Sequence, residues 1–213
     1  EDHEFLLRPG ERRVTEFDWN ATYTDKSYVR AVLASEHQRA AGLPSPEIFH
    51  VHLRQNTAFY SVALYTENVD KDFLSHTGMD EIGALYKGGP GSTMDTVSSY
   101  EKKTRRTESN QDLQDFLSGV ALTGSALENF VFDNVDVPEV INYMATMAVT
   151  QDIDGTDKNH FLHRDTEGSG EWRLLPWDID LTFGPDALNT DTIVFQLQNL
   201  SGPACASHPF IGA

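Results

Sequence analysis

The sequence predicts an α+β fold, and three observations carry that expectation. Apolar and polar residues alternate over 48–54 and again over 59–65, with a short polar turn between them, as in an antiparallel hairpin. Helix-period apolar stripes run through 110–122 and 136–150. A second hairpin is predicted over 160–177, and it has acidic residues gathered at its open end.

Taken in order, residues 4–8 read as a strand that Pro9-Gly10 ends. Thr24 or Asp25 is placed to cap a helix over 26–41, with Gly42 as its stop and Val29, Val32, Leu33 and Glu36 along one side. Strands at 48–54 and 59–65 flank the turn Gln55-Asn56-Thr57. His50 and His52 share a face of the first strand, but no acid or cysteine stands at matching spacing, so they read as strand residues and not as zinc ligands. A short helix is expected over 69–77, then a strand over 82–87 that ends in Lys87. Residues 88–107 are polar and punctuated by glycine, without the spacing of a phosphate loop. The basic cluster Lys102-Lys103-x-Arg105-Arg106 lies here and reads as solvated loop charge, with docking of an acidic substrate as the alternative. Leu113, Phe116, Leu117 and Val120 mark a helix over 110–122, and 127–132 continues as helix. Asp136 caps the next helix, with Pro138 in its first turn and Val137, Val140, Ile141, Met144 and Ala148 as the expected buried stripe. Beyond 184 the chain turns polar; 192–200 fits either helix or strand, and 201–213 is irregular.

The chemistry concentrates in residues 150–184. A loop with Asp152, Asp154 and Asp157 ends at Asn159, a strand and a turn follow, and the second strand runs into Asp178-Ile179-Asp180. The hairpin folds these two acidic groups toward each other. Gathered carboxylates repel, so they need a cation, raised pKa values or open solvent. Oxygen ligands of this kind suit magnesium, manganese or calcium better than zinc. Asp154 and Asn159 are five positions apart, between a helix and a strand, which is the interval of the base Asp and metal-binding Asn in a protein kinase catalytic loop. The histidine and arginine that precede that Asp in kinases are missing. The Asp-Phe-Gly element is stretched to Asp178-Ile179-Asp180-Leu181-Thr182-Phe183-Gly184.

Asp154-Gly155-x-x-x-Asn159, Phe161-Leu162-His163-Arg164-Asp165 and Trp172-x-Leu174-Leu175-Pro176-Trp177-Asp178-x-Asp180-Leu181-x-Phe183-Gly184 resemble the CotH family of spore-coat-protein-H-type atypical kinases. Upstream, Phe5-Leu6-Leu7-Arg8, Asp25-x-Ser27-x-x-Arg30, Gly42-Leu43-Pro44, Tyr65-x-Glu67-x-Val69-x-x-x-Phe73-Leu74 and Leu85-Tyr86-Lys87 follow in the family's order. The resemblance departs at the first hairpin, where Asn56-Thr57 and Ser61 replace the family's Asn-Gly and later Gly. It implies an atypical protein-kinase-like two-lobed fold, a single partial domain over 1–213 that is incomplete at both ends. Residues about 1–70 would form the small lobe and about 71–213 the large one.

The activity implied is transfer of the ATP γ-phosphate to a protein Ser/Thr hydroxyl, dependent on Mg or Mn. Asp154 would be the base or orienting carboxylate, and Asn159, Asp178 and Asp180 the metal ligands. Asp178 and Asp180 remain open as the main ligand. Lys87 and Glu67 carry over as nucleotide-site residues, and Glu36 matches the helix glutamate that orients a nucleotide lysine, unless it is a surface residue. The protein substrate implied is a coat or surface protein. Two rivals are weaker: an EF-hand fails because Thr150 and Phe161 would have to be ligands, and a glycoside hydrolase does not explain Asn159. A coat or adhesin protein that keeps the scaffold and binds a partner without catalysis is the serious alternative.

Composition adds exclusions. The 213 residues contain 33 acids and 16 bases, a net charge of −17, which argues against nucleic acid and against an anionic membrane surface. The one cysteine, Cys205, rules out an internal disulfide. No apolar run reaches transmembrane length. The sequons Asn20-Ala21-Thr22 and Asn199-Leu200-Ser201, with the family's secreted and surface members, point to a secreted or spore-surface location.

Overall fold

A computed structural model describes residues 4–6, 9–10, 13–152, 155 and 158–183. The fold is α+β, built on two antiparallel sheets. The first has the order β1-β3-β2, from β1 (Phe17–Asn20), β2 (Ile48–Gln55) and β3 (Ala58–Glu67). The second has the order β5-β4-β6-β7, from β4 (Ala84–Gly88), β5 (Tyr100–Lys102), β6 (His160–Arg164) and β7 (Trp172–Pro176). Helices α1 (Arg30–Ala40), α2 (Lys71–His76), α3 (Gln111–Val120), α4 (Ser125–Asn134) and α5 (Val137–Thr150) complete it.

Both faces of the second sheet are covered, which is why its strands read as near-continuous apolar runs. Ala84, Tyr86, Leu162, Trp172 and Leu174 meet α3 and α5 residues on one face. Leu85, Phe161 and Leu175 meet Phe73 and Leu74 of α2 on the other. Among the described residues no helix is long and apolar enough to cross a membrane.

Several expected elements shift. The strand over 4–8 reduces to a single bridge, Phe5 with Val14, and residues 7 and 8 lie outside the described residues. α1 starts at Arg30 and not at residue 26, because Asp25 captures the chain first. Its carboxylate accepts the backbone N–H groups of Ser27 and Arg30 at 2.9 Å each, and the Arg30 side chain lies 3.7 Å away. Burial opposes ionisation of Asp25, but these hydrogen bonds and the Arg30 charge outweigh it and hold the carboxyl below its usual range. α1 then buries Ala31, Ala34, Ser35 and Gln38, leaving Val29, Leu33 and Glu36 exposed. Gly42, at φ +84°, stops it as expected.

The α5 stripe is rotated from the expected one. Val140 is buried and Val137 and Met144 are half-buried against the core as expected, but the other buried residues are Tyr143, Thr146, Met147 and Thr150, while Ile141 is 61% exposed. The inward polar groups are satisfied: Thr146 donates to Tyr143 O and Thr150 to Thr146 O, both at 2.9 Å. Residues 125–134 form the separate helix α4 instead of extending α3. The polar stretch 88–107 contains β5, which the sequence did not reveal. Its Lys102 is not solvated loop charge: its ammonium donates to Ser109 O at 2.7 Å and its side chain is only 8% exposed.

The β2–β3 turn places both Asn56 (φ 50°) and Thr57 (φ 68°) in the left-handed region, the geometry that favours Asn-Gly. A β-branched residue is strained there. Thr57→Gly should therefore stabilise the chain by about 1 kcal/mol and raise Tm by roughly 2–4 °C; an unchanged or lower melting temperature would refute the strain.

α5 also carries a pH-sensitive carboxyl. Burial pushes Glu139 up to about 7, against the pull of Arg173 and with help from Asp136. One of its oxygens is buried without a hydrogen-bond partner, and the other lies 3.6 Å from Arg173. The folded chain keeps this proton between the ordinary value of 4.5 and about 7, where the unfolded chain releases it. Glu139 thus favours folding below the lower value, and that benefit is lost as pH rises through the upper one. Glu139→Gln is expected to gain about 3 kcal/mol at pH 8 and almost nothing at pH 4, read from denaturant melts.

Candidate functional site

The site is assembled where the β6–β7 hairpin opens. α5 fixes one side of it: Asp136 caps the helix by accepting the Glu139 N–H at 3.1 Å, and Gln151 ends it in the left-handed conformation at φ 54°. The loop after it folds back onto the helix. Asp152 N–H donates to Met147 O at 3.1 Å, and the Tyr143 hydroxyl reaches Gly155 O at 3.4 Å. A Cβ on Gly155 would sit 2.9 Å from Met147 Cε and 3.1 Å from an Asp152 carboxylate oxygen, so only glycine fits without displacement. Asp154 and Asp157 lie outside the described residues.

Two backbone hydrogen bonds clasp the 177–183 segment to the two ends of that loop. Trp177 N–H donates to Asn159 O at 3.0 Å, and Phe183 N–H to Thr150 O at 2.7 Å. Asn159 and Asp178 are therefore neighbours, and both are left-handed, at φ 60° and 53°. Asn and Asp are the residue types other than Gly that most readily accept this conformation. Asp178 is exposed and Asp180 half-buried, and Thr24 donates its hydroxyl to Asp180.

Asp178 and Asp180 line one wall of a cavity of about 350 Å³. The opposite wall is the first sheet and α1, through Asp18, Trp19, Asn20, Ile48, Thr66 and Ala31. None of these wall residues was legible as functional beforehand: β1 is four residues long, and its contact with Asp180 spans the whole chain. Asn20, in the first sequon, faces this cavity with its side-chain oxygen on Thr22 N–H at 2.7 Å, so a glycan there would fill the cavity mouth. The second sequon and Cys205 lie outside the described residues.

Lys87 is brought close: its ammonium lies 4.8 Å from the Trp177 ring centroid and 5.8 Å from that of Phe161, next to the start of the Asp178 segment. Glu67 faces elsewhere. It neighbours Thr66 on β3, so its side chain projects from the opposite face of the sheet. Its carboxylate accepts Glu47 N–H at 3.0 Å and lies 3.1 Å from His76 Nδ1. His50 and His52 sit on the first sheet, with His52 against Phe59 at 4.8 Å.

One support went unread in the sequence. His160, directly after Asn159, is fully buried and held neutral, its pKa pushed down to about 4 by burial. Its Nδ1 lies 3.2 Å from Lys158 O and its Nε2 3.1 Å from the Tyr100 hydroxyl. With Nδ1–H donating to Lys158, Nε2 is left to accept from Tyr100, and the ring anchors the backbone that enters Asn159. Gly88 makes room: a Cβ there would meet Ser92 Oγ at 2.5 Å and His160 Nε2 at 3.1 Å.

The residues along this segment offer amide and carboxylate oxygens, the donor types that suit a hard divalent cation. Among the described residues no three Asp, Glu, His or Cys side chains come together closely enough to hold a metal by themselves.

Comparison with known proteins agrees with the motifs. The family model described as CotH kinase protein matches residues 5–211. The inner spore coat protein H of Bacillus subtilis (strain 168) is 27% identical over 188 residues, covering 82% of this chain and 52% of that protein. The chain thus spans about half the length of that relative. With the family match extending over nearly all its residues, the chain belongs to the CotH kinase protein family.

Proposed function

We infer that this chain is the nucleotide-binding part of a two-lobed atypical kinase that transfers the ATP γ-phosphate to a Ser/Thr hydroxyl of a protein. The first sheet with α1 corresponds to the small lobe and the rest to the large lobe. The observation that carries the reading is the backbone bond from Trp177 to Asn159, which sets the strand end before Asp178 against Asn159, with Asp178 and Asp180 on a cavity that the first sheet also lines. In this reading Asn159, Asp178 and Asp180 would hold Mg or Mn, which neutralises phosphate charge when bound. Lys87 faces phosphate oxygens from beside Trp177. Asp154 takes the proton of the acceptor hydroxyl as its oxygen bonds to the γ-phosphorus, and the bond to the bridging oxygen breaks to release ADP. The relative's name supports a substrate and a location in the spore coat or at its surface.

A binding-only coat protein is the second reading, favoured by the name of the relative, an inner spore coat protein. Thermal unfolding with ATP and Mn decides between them. At a hundredfold excess over Kd, nucleotide binding adds about 2.7 kcal/mol, or roughly 5–10 °C in Tm. That shift should need the metal and vanish in Asp178→Ala. A shift that is absent, or unchanged in the variant, would overturn the kinase reading.

A further inference from the structure

We propose that Thr24, in the connection between β1 and α1, is a positioning residue for divalent cation binding: its hydroxyl holds one oxygen of Asp180 and so sets the carboxylate to receive a metal ion at the other. This role rests on the proposed reading of Asp180 as a metal ligand. It adds to the site a residue that the sequence offered only as a helix cap.

The turn before α1 is gathered by Asp25. Its carboxylate, in a residue only 1% exposed, accepts the N–H groups of Ser27 and Arg30 at 2.9 Å each. Thr24 instead donates its hydroxyl to Asp180, 156 positions further along the chain. The backbone is held on both sides of Thr24. Before it, Thr22 N–H donates to the Asn20 side-chain oxygen at 2.7 Å. After it, the Lys26 ammonium reaches back to Tyr23 O at 2.6 Å, and Tyr28 N–H donates to Asp25 O at 3.2 Å. The hydroxyl is thus presented from a fixed loop.

Asp180 is held just as firmly along its own backbone. Ile179 before it is 2% exposed and packs with Ala31 and Ala34 of α1 and with Ile48 and Leu64 of the first sheet. Thr182 after it is buried and donates to Ile179 O at 3.0 Å, and Phe183 N–H reaches Thr150 O at 2.7 Å. What freedom remains to Asp180 is in its side-chain torsions, and a hydrogen bond from a fixed hydroxyl takes that freedom away. A carboxylate bound at one oxygen keeps the other as an acceptor. Metal-ligating carboxylates are themselves hydrogen-bonded, and losing such a partner costs about 10–100-fold in metal affinity. Thr24 is exposed and Asp180 half-buried, so water can solvate both groups when the bond is absent. The bond therefore serves orientation more than folding.

The test measures ATP binding by calorimetry with and without Mn, with the electron paramagnetic resonance signal of free Mn as a second readout. Thr24→Val should weaken Mn–ATP binding by about tenfold. Thr24→Ser keeps the hydroxyl and should stay within about twofold of the parent. In an Asp180→Ala background Thr24→Val should cost nothing further, since a residue that acts through Asp180 then has nothing to position. A valine variant that binds like the parent, a serine variant as weak as the valine one, or a further loss in the alanine background would overturn the proposal. So would an Asp180→Ala chain that binds like the parent, an outcome that leaves Asp178 and the kinase reading standing. A parent chain with no metal-dependent nucleotide binding would overturn the kinase reading, and the role of Thr24 with it.

Discussion

Asp154→Asn is expected to lower autophosphorylation by about 10²–10⁴-fold while leaving the ATP–Mn thermal shift in place, because general-base catalysis contributes on that scale. Asparagine keeps the size of the side chain but loses the charge and the capacity to take a proton. The prediction separates two jobs that acids in one cluster otherwise share. In the proposed kinase, Asp178, on the cavity wall, would serve cation and phosphate binding, so its loss should remove the thermal shift. Asp154 would serve the proton, so its loss should leave binding intact. The residues flanking it are already held for such a task, Asp152 through its N–H on Met147 O and Gly155 by close packing on Met147. A base has to be positioned to a fraction of an ångström, and these contacts fix Asp152 and Gly155 against α5. Autophosphorylation with labelled ATP decides the matter: an Asn variant within tenfold of the parent rate would remove Asp154 from the proton-transfer role.

The parts of this architecture that were legible in the sequence are those set by local pattern. The β6–β7 hairpin, the Asp136 cap with Pro138, and the helix carrying Leu113, Phe116, Leu117 and Val120 follow from alternation, capping and helical period. The errors arose where polar groups settled the outcome. α5 turns Tyr143, Thr146 and Thr150 inward because their hydroxyls find carbonyls, so Ile141 faces out although it is the more apolar residue. α1 presents its small face, Ala31 and Ala34, to the first sheet, with Ser35 bonded to Pro46 O, and this leaves Val29 and Leu33 exposed. β1 and β5 are too short and too polar to announce themselves; they exist because β3 and β4 need partners. The motif pointed to Asn159, Asp178 and Asp180 as candidates, but the cavity residues that accompany Asp178 and Asp180, Asp18, Trp19 and Thr66, are more than a hundred positions away in sequence.

Trp172→Ala should cost 3–5 kcal/mol, by analogy with about that range for large buried aromatics, and lower Tm by roughly 6–20 °C. The residue is 3% exposed at the start of β7 and packs between the second sheet and α3. Its ring stacks on Phe116 of α3 at 4.6 Å and 26°, and lies 6.1 Å from Tyr86 of β4. Its backbone bridges Val135, and its carbonyl accepts the N–H of Asp136, the cap of α5. Truncation would empty the space between the sheet and two helices while leaving the backbone bonds to hold it open, and so prevent collapse into the void. Since total stability for a domain is about 5–15 kcal/mol, this one change would remove about a fifth of it or more. Trp172→Phe retains the stacking and should cost under about 1.5 kcal/mol, which distinguishes lost packing from a misplaced core. The same helix whose cap rests on Trp172 ends at the loop before Asn159, so the alanine variant should also bind ATP–Mn more weakly, measured by calorimetry well below its melting point. A loss below 1 kcal/mol, or equal losses for alanine and phenylalanine, would mean that the indole does not pack between α3 and the sheet as described.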